Sequence, residues 1–234
     1  MKVKAVIFDL FGTLMRLQAM DIDDFLYKSN ILVDKKVFNN AFKEVFQLNR
    51  FEKYEDGVEL LAEKIGASEN EAFKQGQLKF FEELDHSIVP IEKTFAVLAI
   101  AKKIGMKTAI LSNSFQIPDE VVNKFHLDLI DHILLSCDTK VLKPDIQAFT
   151  NVADVLDVYP KECLFIGDNY EKDLLPASLL ARVAQLIEHL VANEVVAGLS
   201  PVSRFWGMVK RHHVGFWSHY SRFESWFPRT YISL

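Results

Sequence analysis

The sequence predicts an α/β fold: a parallel sheet covered by helices, with a block of helices inserted after the first strand. Three observations predict it. Short, continuously apolar runs recur along the chain, as strands buried on both faces require. From Pro90 onward these runs alternate with segments whose apolar residues repeat at helical spacing, which implies parallel strands joined by helical crossovers. Between the first run and Pro90 only helical spacing is found.

VKAVIFD, residues 3–9, is the first strand, short and rich in apolar residues, with a turn signal at Gly12. Residues 16–87 follow as helices: DDFLYKSN, VFNNAFKEVFQLNRF, GVELLAEKIG and ENEAFKQGQLKFFEEL, punctuated by Gly57 and Gly66. IEKTFAVLAIAKKIG reads as a helix stopped at Gly105. MKTAILSN is a strand, and IPDEVVNKFHL a short helix with Pro118 near its start. HILLSC is a strand, KPDIQAFTNVADVLDV a helix, and ECLFIGD a last strand that ends in an acid. No repeat or low-complexity linker interrupts the chain before residue 180.

At 234 residues there is room for one large domain, or for a core with a smaller insert. Half of the residues are apolar and a quarter charged, as in ordinary globular proteins. The net charge of -5 gives no whole-chain reason to expect a nucleic-acid partner. Cys137 and Cys163 each sit in an apolar run and read as packed thiols, which fits a reducing cytoplasm. MKVKAVIFDL lacks the apolar stretch of a secretory signal, and no apolar run approaches the roughly 20 residues that span a bilayer.

In open parallel sheets the ligand crevice lies beyond the carboxyl ends of the strands. The polar residues there are Asp9, Ser112 with Asn113, and Asp168, with Lys143 in VLKPD and Asp173 close by. Alone, each is ordinary turn or cap chemistry. Together they suit an anionic substrate and a divalent cation. Mg²⁺ takes oxygen ligands, often one or two carboxylates plus phosphate oxygens. A lysine offsets charge on a transferring group, and an aspartate can accept that group covalently.

FDLFGTL, LSNS, KPD and GDNYEKD, in this order, resemble the four motifs of the haloacid dehalogenase-like hydrolase superfamily. The resemblance covers residues 3 to about 180. It implies a Rossmann-like core (residues 1–15 and 88–180) with a helical cap (16–87) that sets substrate choice. It also implies that Asp9 is the nucleophile, that Ser112 hydrogen-bonds the transferring group, and that Lys143 offsets its charge. Gly12, Thr13 and Asn113 would line the substrate, here a small phosphate ester. Mg²⁺ would be held by Asp9, the Phe11 carbonyl, Asp168 and Asp173.

The family's phosphatases usually carry an acid two residues after the nucleophile, where this chain has Phe11. General acid–base help is typically worth about 10² to 10⁴ in rate. The metal contact at that position is a backbone carbonyl, which Phe11 still supplies. An aromatic residue there also resembles the superfamily's metal-free dehalogenases, but those generally replace the fourth motif with a Ser-Asn-type sequence, whereas GDNYEKD keeps both acids. Two acids held together without a cation repel each other. The resemblance thus favours a Mg²⁺-dependent phosphatase, with a 2-haloacid dehalogenase-like hydrolase and a non-catalytic binding relative as alternatives.

From Ala181 the texture changes. All three tryptophans and four of the seven histidines fall there, and the charges are six basic against three acidic. VAQLIEHLVANEVVAGLSPVSR resembles the conceptual translation of a transfer-RNA gene. On that resemblance residues 181–234 stand outside the family fold, the family's final strand is missing or replaced, and the fourth-motif strand is left as an edge.

Overall fold

The structure, a computed structural model, describes residues 3–17 and 31–180. The helix expected in DDFLYKSN and the whole of 181–234, with the expectation about the final strand, lie outside those residues.

Four parallel strands form the main sheet in the order β5-β4-β1-β6. They are β1 (Ala5–Phe8), β4 (Lys107–Ser112), β5 (His132–Leu135) and β6 (Cys163–Ile166). β1 and β6 are buried along their whole length, and β4 everywhere but Lys107, as continuous apolar runs demand of a sheet covered on both faces. Alternate residues feed two core layers. Val6, Phe8, Ile110, Leu164 and Ile166 pack into one. Ala5, Ile7, Ala109, Leu111 and Phe165 pack into the other, against Ala148, Phe149 and Val152. Cys137 and Cys163 fall in different layers, buried and unpaired with each other, and burial pushes each thiol up to about 11. The packed-thiol reading therefore holds.

Among the described residues the helices of six or more residues are α1 (Lys35–Phe42, continued by a wider turn over Lys43–Gln47), α2 (Tyr54–Lys64), α3 (Glu71–Glu82), α4 (Glu92–Lys103), α5 (Asp119–Lys124), α6 (Ile146–Val155) and α7 (Leu175–Leu180). Side-chain caps fix several starts: Asp34, Asn70 and Asp145 accept from the backbone N–H of Lys36, Phe73 and Gln147. Gly105 ends α4 with φ +75°, as read from the sequence. No helix among the described residues is long and apolar enough to cross a membrane.

Two local features differ from the sequence reading. A small antiparallel pair, β2 (Met15–Leu17) with β3 (Ile88–Pro90), ties together the two ends of the helical segment. Three residues per strand are too few for a period to register. HILLSC stops being a strand at Leu135, and Ser136–Thr139 makes a helical turn. The Lys140 N–H closes that turn on the Ser136 carbonyl, and the Ser136 hydroxyl accepts from the Ser114 N–H.

Candidate active site

Because β1 lies between β4 and β6, the carboxyl ends of three strands deliver Asp9, Ser112 and the Gly167–Asp168 loop to one edge. The Asp9 N–H donates to the Ile166 carbonyl at 2.8 Å, which extends the β1–β6 ladder up to Asp9 itself. The chain then coils tightly. The N–H groups of Leu14 and Met15 both donate to the Leu10 carbonyl at 2.9 Å, and the Gly12 N–H donates to the Met15 carbonyl at 2.7 Å. Gly12 sits at φ +97°, and a Cβ there would run into the Asp168 carboxylate. Glycine is required on both counts.

Lys143 arrives from the loop after β5. Its position is fixed by Asn113, whose amide nitrogen donates to the Lys143 carbonyl and whose amide oxygen accepts from the Lys143 N–H, both at 2.7 Å. Asn113, expected at the substrate, thus has its side chain engaged with the backbone of Lys143. The lysine stem passes Phe165, with Nζ 5.4 Å from the ring centroid. Nζ donates to Asp9 Oδ1 at 2.6 Å and to Asp173 Oδ1 at 2.5 Å. Asp173 is turned inward by the wide helical turn Tyr170–Leu174, capped by Asn169, and its Oδ2 accepts from the Asn169 N–H at 3.0 Å. The Thr13 hydroxyl points at Asp9 Oδ2 from 3.5 Å. Ser112 is buried at the end of β4.

Carboxylate oxygens of Asp9, Asp168 and Asp173 lie within 4.8 Å of one another, with Asp9 and Asp173 buried and Asp168 exposed. Burial pushes the Asp9 carboxyl up to about 6, with Lys143 opposing the rise and Asp173 adding to it. Burial and then Asp173 also raise Asp168. Three acids thus face one lysine, a deficit of positive charge that a divalent cation would fill with oxygen ligands of the kind it prefers. A Cβ on Gly167 would meet Asp173 at 2.5 Å, so both glycines keep the space beside the acids clear. The donor set fits Mg²⁺.

Phe11 is half-buried and packs on Phe115, with ring centroids 6.0 Å apart. Phe115, three residues past Ser112, meets Phe42, Phe80 and Phe81 of the helical segment edge-on. Sequence reasoning missed this cluster. The repeated phenylalanines of 38–81 were the available signal, but helical spacing absorbs them as core. It also missed the bridge between this segment and the core: Arg50 pairs with Asp138 through two nitrogens at 2.6 and 3.1 Å.

Residues 3–179 match the family described as haloacid dehalogenase-like hydrolase. The chain is 29% identical over 221 residues to the (S)-2-haloacid dehalogenase of Xanthobacter autotrophicus, covering 87% of this chain and 84% of that one. It is 26% identical over 180 residues to the pyrophosphatase PpaX of Bacillus mycoides, covering 73% and 77%. A solved structure of a HAD family enzyme from Bacteroides thetaiotaomicron, in complex with magnesium and inorganic phosphate, shares the fold. Its TM-score is 0.55 at 18% identity, covering 76% of this chain and 90% of that one.

Proposed function

Since this chain belongs to the haloacid dehalogenase-like hydrolase family, we propose that it is a Mg²⁺-dependent phosphatase of a small phosphate ester. The observation that carries this reading is the convergence of Asp9, Asp168 and Asp173 within 4.8 Å beside Lys143. The pyrophosphatase relative and the magnesium–phosphate complex of a structural neighbour support it. Asp9, the Phe11 carbonyl, Asp168 and Asp173 would hold Mg²⁺. When bound, the ion supplies positive charge against the phosphate oxygens.

In this reading an Asp9 oxygen attacks phosphorus, the bond from phosphorus to the leaving oxygen breaks, and that oxygen takes its proton from water. Water then attacks the aspartyl-phosphate, releasing phosphate and restoring the carboxylate. Lys143 orients Asp9 and offsets charge on the transferring group. Ser112 donates to that group, and Gly12 and Thr13 line its other side. Asn113 acts by holding Lys143. Residues 1–15 and 88–180 form the core, and 16–87 the cap that sets substrate choice. Phe11 gives the leaving oxygen no proton, which confines the enzyme to activated esters.

Phe11 and the Xanthobacter relative favour a second reading, in which Asp9 attacks carbon and expels halide without metal. A screen of phosphate esters and 2-haloacids, each with Mg²⁺ or chelator, separates the two. Phosphate release that needs Mg²⁺ and fails in Asp9→Asn supports the phosphatase. Halide release in chelator replaces it with the dehalogenase.

A further inference from the structure

The ring cluster that begins at Phe11, two residues past Asp9, points, we infer, to an aryl leaving group: the substrate is a phosphate monoester of a phenol-type alcohol. This rests on the phosphatase reading and names its substrate class. Two independent observations meet in it.

The first is chemical. With Phe11 in place of an acid, the leaving oxygen departs without a proton from that side chain. A phenolate tolerates this far better than an alkoxide, because the ring delocalises its charge.

The second is the surface offered to the leaving group. Phe11 stands two residues past Asp9 and Phe115 three past Ser112, so both rings ride on the loops that carry the reacting groups. Phe115 is met edge-on by Phe42 at 6.2 Å and 90°, and by Phe80 at 6.2 Å and 76°. Phe11, Phe42 and Phe80 are only partly buried, so the cluster keeps ring surface open. Among the described residues, polar groups beside it are engaged: the Tyr54 hydroxyl with the Gln116 carbonyl at 3.5 Å, the Gln116 amide oxygen with the Phe51 N–H at 3.1 Å, and Arg50 with Asp138. A sugar or polyol would give up hydrogen bonds to water against these rings and regain few. A flat ring would gain edge-to-face contacts worth about 0.5–1.5 kcal/mol each beyond its buried area.

The P–O bond to the aryl oxygen breaks, its electron pair stays on that oxygen, and the phenolate takes a proton from water.

The test compares naphthyl phosphate with acetyl phosphate on the full chain in Mg²⁺. Acetyl phosphate has the better leaving group and no ring, so leaving-group chemistry alone favours it. The expected result is a kcat/KM for naphthyl phosphate at least about 10-fold higher, carried mainly by KM. Phe80→Ala should lower kcat/KM for naphthyl phosphate about 10-fold, mainly through KM, and that for acetyl phosphate far less, and Phe80→Leu should do so with the helix packing largely retained. Equal kcat/KM for the two esters, or equal losses in the variants, would overturn the aryl site and leave the phosphatase standing. No Mg²⁺-dependent phosphate release from either compound by folded protein would remove the phosphatase reading and the aryl site with it.

Discussion

Lys143 Nζ lies 2.6 Å from Oδ1 of Asp9, with both side chains almost wholly buried, and the same nitrogen bridges to Asp173 at 2.5 Å. One lysine therefore restrains two carboxylates that would otherwise repel each other in a low-dielectric setting. Removing one partner from a buried ion pair typically costs about 3–5 kcal/mol, because the charge left behind is uncompensated. Lys143→Met should accordingly lower the unfolding free energy by roughly that amount in chelator. Mg²⁺ should recover part of the loss by taking over the charge. Urea titrations with and without Mg²⁺ check this. A variant as stable as the parent in chelator would show that the lysine does not hold the acids.

Asp9 gives a pH signature. Burial raises its carboxyl from 3.8 to about 6. The folded state therefore binds the proton more tightly than the unfolded chain does, and stability is lost as pH rises from about 4 through 6. Asp9→Asn removes the titration. In chelator it should be more stable than the parent at pH 7, by roughly 3 kcal/mol at most, with no advantage below about pH 4. On the phosphatase reading its phosphate release should also vanish at every pH. Thermal denaturation at the two pH values reads the first effect and phosphate release the second.

Phe11 governs turnover if its position is the missing acid. On the phosphatase reading the parent should release nitrophenol from nitrophenyl phosphate in a burst followed by slow turnover, because an aspartyl-phosphate would be hydrolysed without a general base. Phe11→Asp should raise the steady-state rate by about 10², less if the new carboxylate disturbs the packing on Phe115. Stopped-flow traces of the two proteins decide it. Equal steady rates and no burst in the parent would show that position 11 does not limit the enzyme.

Gln77 is fully buried on α3, and among the described residues neither its amide nitrogen nor its amide oxygen has a hydrogen-bond partner. It lies between Phe73 and Phe81 on the buried face of that helix. An unsatisfied buried polar group costs about 1–3 kcal/mol. Gln77→Leu, close in shape and apolar, should raise stability by up to that amount without changing the metal dependence of turnover. A lower melting temperature in the variant would show that the amide has a partner in solution.

The sequence by itself determined the four strands of the parallel sheet, their alternation with helices, and the polar residues at the strand ends. Continuous apolar runs such as AVIF and CLFI, and helical spacing in EKTFAVLAIAKK, are encoded within a few residues. The FDLFGTL, LSNS, KPD and GDNYEKD motifs carried the family likewise. Tertiary structure alone decided what those residues do to one another. The strand order β5-β4-β1-β6 sets β1 between β4 and β6. That order brings Lys143 to Asp9 across 134 positions of chain and commits the Asn113 amide to the Lys143 backbone. It also sets Phe11 against Phe115, and with them the rings of a segment whose spacing reads only as helix. Periodicity is a property of neighbours in the chain, whereas convergence depends on which strands lie side by side, and no local pattern encodes that.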